Sequence, residues 1–392
     1  MSKQLTTIKA LCAAAGTPFY ELSIGNSDLK LPLRRLNDIG LPEIYAPYVC
    51  CGLLQDVHVF GRTFVYSRDD KVVFHCQSSQ TYKTWGLDEN VATFIDEKKS
   101  SLFTSYLEDE CIFIGGMYTE RYPHGWMHDV EPPNFGHFIF EFLNRLAIFE
   151  PLGLLNGLPV VVYDRMPERW IGFLELMGIP KERIIRVPIV DGPAYRKVWM
   201  SSSCHYRDTA GNYRFWGAGL HWLRARAFAG IGGPQLHKHR RIYLGRDGAR
   251  WRKIVNEDAV KQVLQDYGFE FVEATKLSAR EQIEIISGAD FVVTAAGAGG
   301  VLTHFAPEHC TIFLLAPPGA VTGPWGGLGA ALFLRQIYER IEGEPVESPV
   351  RSNLFGVNEI TDFKIDVDAL RRFVETAIFR LSHEQKIDAI EL

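Results

Sequence analysis

The densest chemical signal in this sequence lies where the apolar run DFVVTAA (290–296) ends on Gly297-Ala298-Gly299-Gly300. An apolar run of that length, closed by glycine, reads as a buried strand. Glycines after a strand let backbone approach a ligand closely, and a helix that starts there presents N–H groups and the positive end of its dipole. A diphosphate suits such a place, because open α/β sheets bind ligands at the carboxyl ends of their strands. The same glycines would also serve a tight strand-to-helix turn, and this stretch alone leaves both readings open. It lacks the G-K-[ST] of a P-loop and follows the third strand of its half, not the first as a dinucleotide fingerprint would. Basic residues converge on the same edge: Arg246 closes RRIYLGR (240–246), and Arg250, Arg252 and Lys253 follow. A guanidinium fork bonds two phosphate oxygens at once, and Arg246 stands nearest the strand end; a solvated basic turn is the alternative.

A second group of chemically able residues lies earlier. Asn134 and His137 open the apolar segment HFIFEFLNRLAIFE (137–150), and Glu141 follows His137 by four residues. Residues i and i+4 share a helix face, so Glu141 is placed to orient the imidazole, which is well matched to base work near neutral pH. The same spacing lets Glu141 pair with Arg145 while Asn134 and His137 only cap the helix. His124, His128 and Asp129, in the loop RYPHGWMHDVEPPNFG (121–136), are weaker candidates for acceptor contacts. The one D-x-D, Asp366-Val367-Asp368, reads as the start of a helix, so no metal site is expected.

These residues need elements to hold them. Residues 1–108 carry short β-like runs and read as a β-rich or α+β lead-in to the N-terminal domain. From 109 to 232 strands and helices alternate: CIFIGG (111–116), the buried helix 137–150, LPVVVYD (158–164), ERWIGFLELMGI (168–179) and ERIIRVPIV (182–190). Residues 191–232 read as irregular and aromatic, with a hinge near 226–241. From 233 to 365 the alternation is clearest. Asn256 is expected to cap a helix running through Tyr267, and Ser278 with Glu281 forms a capping box. Strands at 240–246, 269–274, 290–296 and 310–318 imply parallel βαβ units. Residues 366–392 hold an amphipathic helix expected to cross back onto the N-terminal half.

The 392 residues suit two or three domains, and 46% hydrophobic with 23% charged residues suits a globular fold. The net charge of −5 argues against a general nucleic-acid binder. No apolar run approaches the ~18 residues of a membrane span, and 11–15 is too short for a secretory core. Seven cysteines without metal-type spacing read as buried thiols in a reducing compartment. The expected setting is therefore cytoplasmic, with at most peripheral association at the inner face of a membrane.

In their order along the chain these segments resemble glycosyltransferase family 61. The resemblance rests on N-F-G-H-F-I-F-E-F-L-N-R-L (134–146), R-R-I-Y-L-G-R (240–246) and R-K-I-V-N-E-D (252–258). It continues through Y-G-F-E (267–270), L-S-A-R-E-Q (277–282), G-A-G (297–299) and F-A-P (305–307). It implies an α/β fold of the GT-B type, two Rossmann-like domains facing a cleft. It implies inverting transfer, without a metal or other cofactor, of a hexosyl or pentosyl group from a nucleotide-diphosphate sugar, UDP-linked in the commonest case. The acceptor would be a hydroxyl of a glycan or lipid-linked saccharide in surface polysaccharide biosynthesis. Carried over by position, Arg246, Arg252, Asn256, Glu257, Gln282, Gly297, Ala298 and Gly299 would line or support the donor site. His137 and Glu141 would serve on the acceptor side, one of them as base. The family commonly has a histidine before G-A-G and L-T-N after it, where this chain has Ala296 and Gly300-Val301-Leu302. Two other readings use the same features: a non-catalytic sugar-nucleotide binder, and an epimerase or hydrolase of nucleotide sugars.

Overall fold

Valine- and isoleucine-rich runs with no polar face suit the inside of a parallel sheet. Cys111–Gly115 and Val160–Tyr163 are such runs; they pair in parallel with each other, and Val160–Tyr163 pairs in parallel with the half-buried edge strand Ile184–Val187. The computed structural model describes residues 4–24, 44–60, 64–73, 95–98, 100–115, 135–188, 191–207, 213–246, 252–317, 333–346 and 361–388. The described residues up to Gly230 form one compact unit and those from Ile231 onward a second.

In the N-terminal unit the parallel strands are one flank of a mixed sheet. Its order is Gln4–Thr6, Lys71–Val73, Phe64–Ser67, Tyr48–Phe60, Ala194–Ser201, Cys111–Gly115, Val160–Tyr163, Ile184–Val187. Tyr48–Phe60 runs antiparallel to Phe64–Ser67, Ala194–Ser201 and Phe19–Ile24. The lead-in and the α/β segment therefore share one sheet, and this unit departs from a purely parallel Rossmann pattern.

The expectation of irregular structure over 191–232 is overturned. Ala194–Ser201 is the strand that joins the two flanks, and Gly217–Ile231 is a helix. Arg196 and Lys197 interrupt the strand's apolar pattern, and three glycines weaken the helix's signal. Those glycines have a packing reason. A Cβ on Gly219 would lie 2.3 Å from Asn144 Oδ1 and from the Trp216 ring, and one on Gly230 would lie 2.8 Å from the Leu176 carbonyl oxygen. The helix thus sits close against the segments 135–149 and 168–176, and its buried Leu220, Leu223 and Ala227 follow helical spacing.

The C-terminal unit holds a wholly parallel sheet in the order Glu270–Val272, Arg240–Leu244, Ala289–Ala295, Thr311–Ala316, Ile337–Glu342. Helix Ala279–Ile286 opens with the expected capping box between Ser278 and Glu281. The last helix, Val367–Asp388, packs on its own unit. Its Leu370, Val374 and Ala377 are buried in the C-terminal unit's own core with Val260, Leu264, Phe269 and Phe363. An apolar stripe at 370, 374 and 377 needs only one partner surface, and the helix Glu257–Asp266 supplies it.

At the amino-terminal edge of this sheet Asp290 takes His239 Nδ1 at 3.1 Å and His309 Nε2 at 3.3 Å. Burial pushes the Asp290 carboxyl up, but the two imidazoles more than offset it and hold it below its usual value. A depressed folded pKa contributes stability above the unfolded carboxylate value of about 3.9, lost as pH falls through the folded one. Asp290→Asn is therefore expected to be less stable near neutrality and to lose less stability on acidification below about pH 4. Urea denaturation across that range reads the difference.

Candidate functional site

The order of the C-terminal sheet, in its own strand sequence, is 2-1-3-4-5. The chain steps outward from the first strand to the second, then crosses to the other side for the rest. Sheets of this order bind ligands at the carboxyl ends of strands 1 and 3, where the direction of winding changes. Here those strands are Arg240–Leu244 and Ala289–Ala295, and they deliver Arg246 and Gly297 to that edge.

The two residues are in contact. Arg246 donates from Nη1 to the carbonyl of Ala296 at 2.6 Å and to that of Arg252 at 3.5 Å. Its guanidinium lies flat against Gly297, where a Cβ would stand 2.6 Å from the guanidinium carbon. Gly297 has φ 165°, extended backbone open to any residue, so its lack of a side chain makes room for Arg246 and serves no turn. Burial, helped by the neighbouring charge of Arg252, lowers the Arg246 pKa to about 10. Among the described residues no carboxylate lies within ion-pair distance of Arg246. A partly buried cation between two carbonyls and a second arginine has the chemistry to take an anion.

Gly297→Ala tests this geometry. The atom displaced is the far end of a flexible side chain, so folding stability is expected to change by less than about 1 kcal/mol. The guanidinium moves, however, and nucleotide binding is expected to weaken by about tenfold, read by calorimetry beside thermal unfolding.

Arg252 has φ 56°, a left-handed conformation that a non-glycine residue keeps only when its surroundings impose it. Segment 361–365 imposes it. Lys253 N donates to Asp362 Oδ1 at 2.8 Å, Phe363 N to the Lys253 carbonyl at 2.9 Å, and Val255 N to the Phe363 carbonyl at 2.9 Å. Asn256, expected as a helix cap, stands at the cap position without a capping bond. Its amide instead grips Ile365, donating to the carbonyl at 2.9 Å and accepting from N–H at 3.0 Å. Two backbone bonds across the brace outcompete one local cap. Asn256 thus acts on the arginines through backbone. Asp362 and Ile365 were missed by sequence reasoning because contacts over some hundred residues leave no local pattern.

The other candidates on this unit divide by what they touch. Glu257 accepts from Tyr243 Oη at 2.7 Å and lies 3.6 Å from Lys261 Nζ. Gln282 is buried and donates to the carbonyls of Ala274 and Leu277, so it supports the turn before its helix. Ala298 and Gly299 begin the 3-10 helix Ala298–Phe305, and the space around a Cβ on Gly299 is open. Ala296, Val301 and Leu302 are buried.

In the N-terminal unit the segment 135–149 is continuously helical but not uniformly wound. A π-helical turn, Phe138–Phe142, sits between Phe135–His137 and Leu143–Arg145. Such turns are rare and concentrate at functional places. Phe138 stacks on Trp170, ring centroids 4.8 Å apart, and anchors the segment in the core. Within the turn Glu141 is 0% exposed, and its Oε1 lies 2.9 Å from Nδ1 of His137, which is 18% exposed. The pairing expected as an alternative takes another form: Arg145 Nε donates to the Glu141 backbone carbonyl at 3.0 Å. With Nδ1 bonded to a carboxylate, Nε2 is the ring nitrogen suited to take up a proton.

Asn134, His124, His128 and Asp129 lie outside the described residues. Asp366 accepts the N–H groups of Asp368 and Ala369 at 2.9 and 3.0 Å, so its carboxylate caps the last helix. Among the described residues no helix is long and apolar enough to cross a membrane.

Residues 135–313 match the model of the family Glycosyltransferase 61. The matched stretch, a little under half of the chain, runs from the start of the His137 segment into the strand Thr311–Ala316 and includes Arg246, Arg252 and Gly297. No curated protein matches the chain.

Proposed function

We propose, from the premise that residues 135–313 carry the glycosyltransferase 61 pattern, that this chain transfers a sugar from a nucleotide-diphosphate donor to a glycan hydroxyl. The observation that carries this reading is the Arg246–Gly297 contact at the winding switch of the parallel sheet, where Arg246 has no carboxylate within ion-pair distance among the described residues. The reaction is a direct displacement with inversion. His137 takes the acceptor hydroxyl proton on Nε2 while Glu141 holds the ring through Nδ1. The acceptor oxygen forms its bond to the anomeric carbon as the bond from that carbon to the diphosphate oxygen breaks. The electron pair departs with the diphosphate, and Arg246 and Arg252 stabilise the charge it gains. Two guanidinium groups do here what a divalent ion does at other diphosphate sites, so the reading includes metal independence. A uridine nucleotide, a hexosyl or pentosyl group, and an acceptor belonging to surface polysaccharide complete it, with the chain working at the inner face of a membrane.

The test is calorimetric titration of UDP, GDP, CDP and CMP into the purified chain, with and without EDTA. One nucleoside diphosphate is expected to bind, with the same affinity in EDTA. Loss of that binding in EDTA would remove metal independence, and absence of binding by all four would remove the donor site.

A further inference from the structure

Beside Arg246, the next strand of the sheet ends in a carboxylate. Glu273 directly follows Glu270–Val272, which pairs with Arg240–Leu244 on the side away from Gly297. The register is level: Leu244 stands opposite Val272 on one side and Thr294 on the other. Gly245-Arg246, Glu273 and Ala296-Gly297 therefore leave the sheet at one edge, on three strands spaced about 4.8 Å apart. Gly245 fills none of the space between the first two. Its N–H donates to the Val272 carbonyl at 3.1 Å, and the one heavy atom within 4 Å of a Cβ there is that same oxygen, at 3.9 Å.

Glu273 and Arg246 carry opposite charges on neighbouring strands, yet they form no ion pair with each other. Lys276, itself exposed, pairs with Glu273 through Oε2. The other oxygen, Oε1, has no hydrogen-bond partner among the described residues. A ligand that satisfies both residues is anionic at one end and carries hydroxyl donors a few ångströms away. A ribonucleoside diphosphate has that order. In dinucleotide-binding sheets, whose order differs, the second strand likewise flanks the first. There a carboxylate beyond the second strand accepts the 2′-hydroxyl of a ribose whose diphosphate lies at the first strand's turn. Glu273 stands at the corresponding strand end here.

We propose that Glu273 is the ribose-recognising residue of this chain, accepting the 2′-hydroxyl of the nucleotide whose diphosphate Arg246 holds. The inference rests on the donor-site reading above. It makes the chain selective for ribonucleotides over their 2′-deoxy counterparts, and against nucleotides phosphorylated at the 2′ position, which Glu273 would repel.

The test is calorimetric titration of UDP, GDP and CDP, each beside its 2′-deoxy form, into the wild-type chain, Glu273→Ala, the isosteric Glu273→Gln, and Arg246→Ala. Thermal unfolding of each variant without nucleotide controls for folding. For whichever base binds, the wild type is expected to prefer the ribonucleotide by about tenfold or more, the scale of a hydrogen bond to a charged group. That preference falls to about twofold or less in Glu273→Ala, and is reduced in Glu273→Gln, where the accepted bond is no longer charge-assisted. Arg246→Ala weakens both forms alike. A preference that survives intact in both Glu273 variants, or a wild type that binds the two forms equally, overturns the assignment while the donor site stands. No nucleotide binding by the wild type overturns both.

Discussion

Arg246→Ala is expected to raise the dissociation constant for the nucleotide diphosphate by roughly 100-fold, with folding of the ligand-free chain almost unchanged. The first half follows from chemistry: a guanidinium bonding two phosphate oxygens loses two charge-assisted hydrogen bonds, each worth about 1.5–3 kcal/mol before the phosphate finds compensation in water. The second half follows from the surroundings. Arg246 has no carboxylate partner among the described residues, and burial beside Arg252 already lowers its pKa to about 10. Removing a charge held against its preference costs the fold little. Thermal unfolding with and without saturating nucleotide separates the two statements: the wild type gains stability from ligand, and the variant does not. Equal gains in both would place the diphosphate elsewhere.

His137→Ala is expected to reduce turnover by about 10²–10⁴-fold, the usual contribution of a positioned general base, while nucleotide affinity stays at the wild-type value. Glu141→Gln supplies a finer test. A carboxamide can donate to Nδ1 as well as accept from it, so the ring is no longer held with its proton on that nitrogen, and Nε2 loses its standing as proton acceptor. Turnover is expected to fall steeply, with the ring still in place and the donor affinity unaltered. Steady-state kinetics paired with calorimetry checks both variants. A His137→Ala chain that keeps full turnover would move the base to another residue.

Much of the C-terminal unit was legible because its signals are local. The strands Ala289–Ala295 and Thr311–Ala316 are buried, largely apolar runs, Ser278 and Glu281 announce their helix within four residues, and Asp366 caps the last one. The His137–Glu141 hydrogen bond was legible for the same reason, one helical turn of separation. What escaped was set by distance along the chain. Ala194–Ser201 finds its partner strand Tyr48–Phe60 well over a hundred residues earlier, and its two central basic residues hide its apolar face. The glycines of Gly217–Ile231 read as loop until Asn144 and Leu176 are seen pressing on them. Asn256 has the residue type of a cap, and only the presence of Ile365 explains why its side chain turns elsewhere. The partner of the last helix within its own unit was not legible on the same ground, since an apolar stripe specifies that a partner exists and not which one.

The brace between residues 252–256 and 361–365 also sets a timetable. A ribosome makes the five strands of the C-terminal sheet, Arg246 and Gly297 included, before it reaches Asp362 and Ile365. Until those residues emerge, the backbone that keeps Arg252 left-handed and beside Arg246 has nothing to lean on. A half-made chain therefore carries Arg246 and Arg252 without the brace that sets their backbone, and the nucleotide binding proposed above is expected only after synthesis has passed the brace.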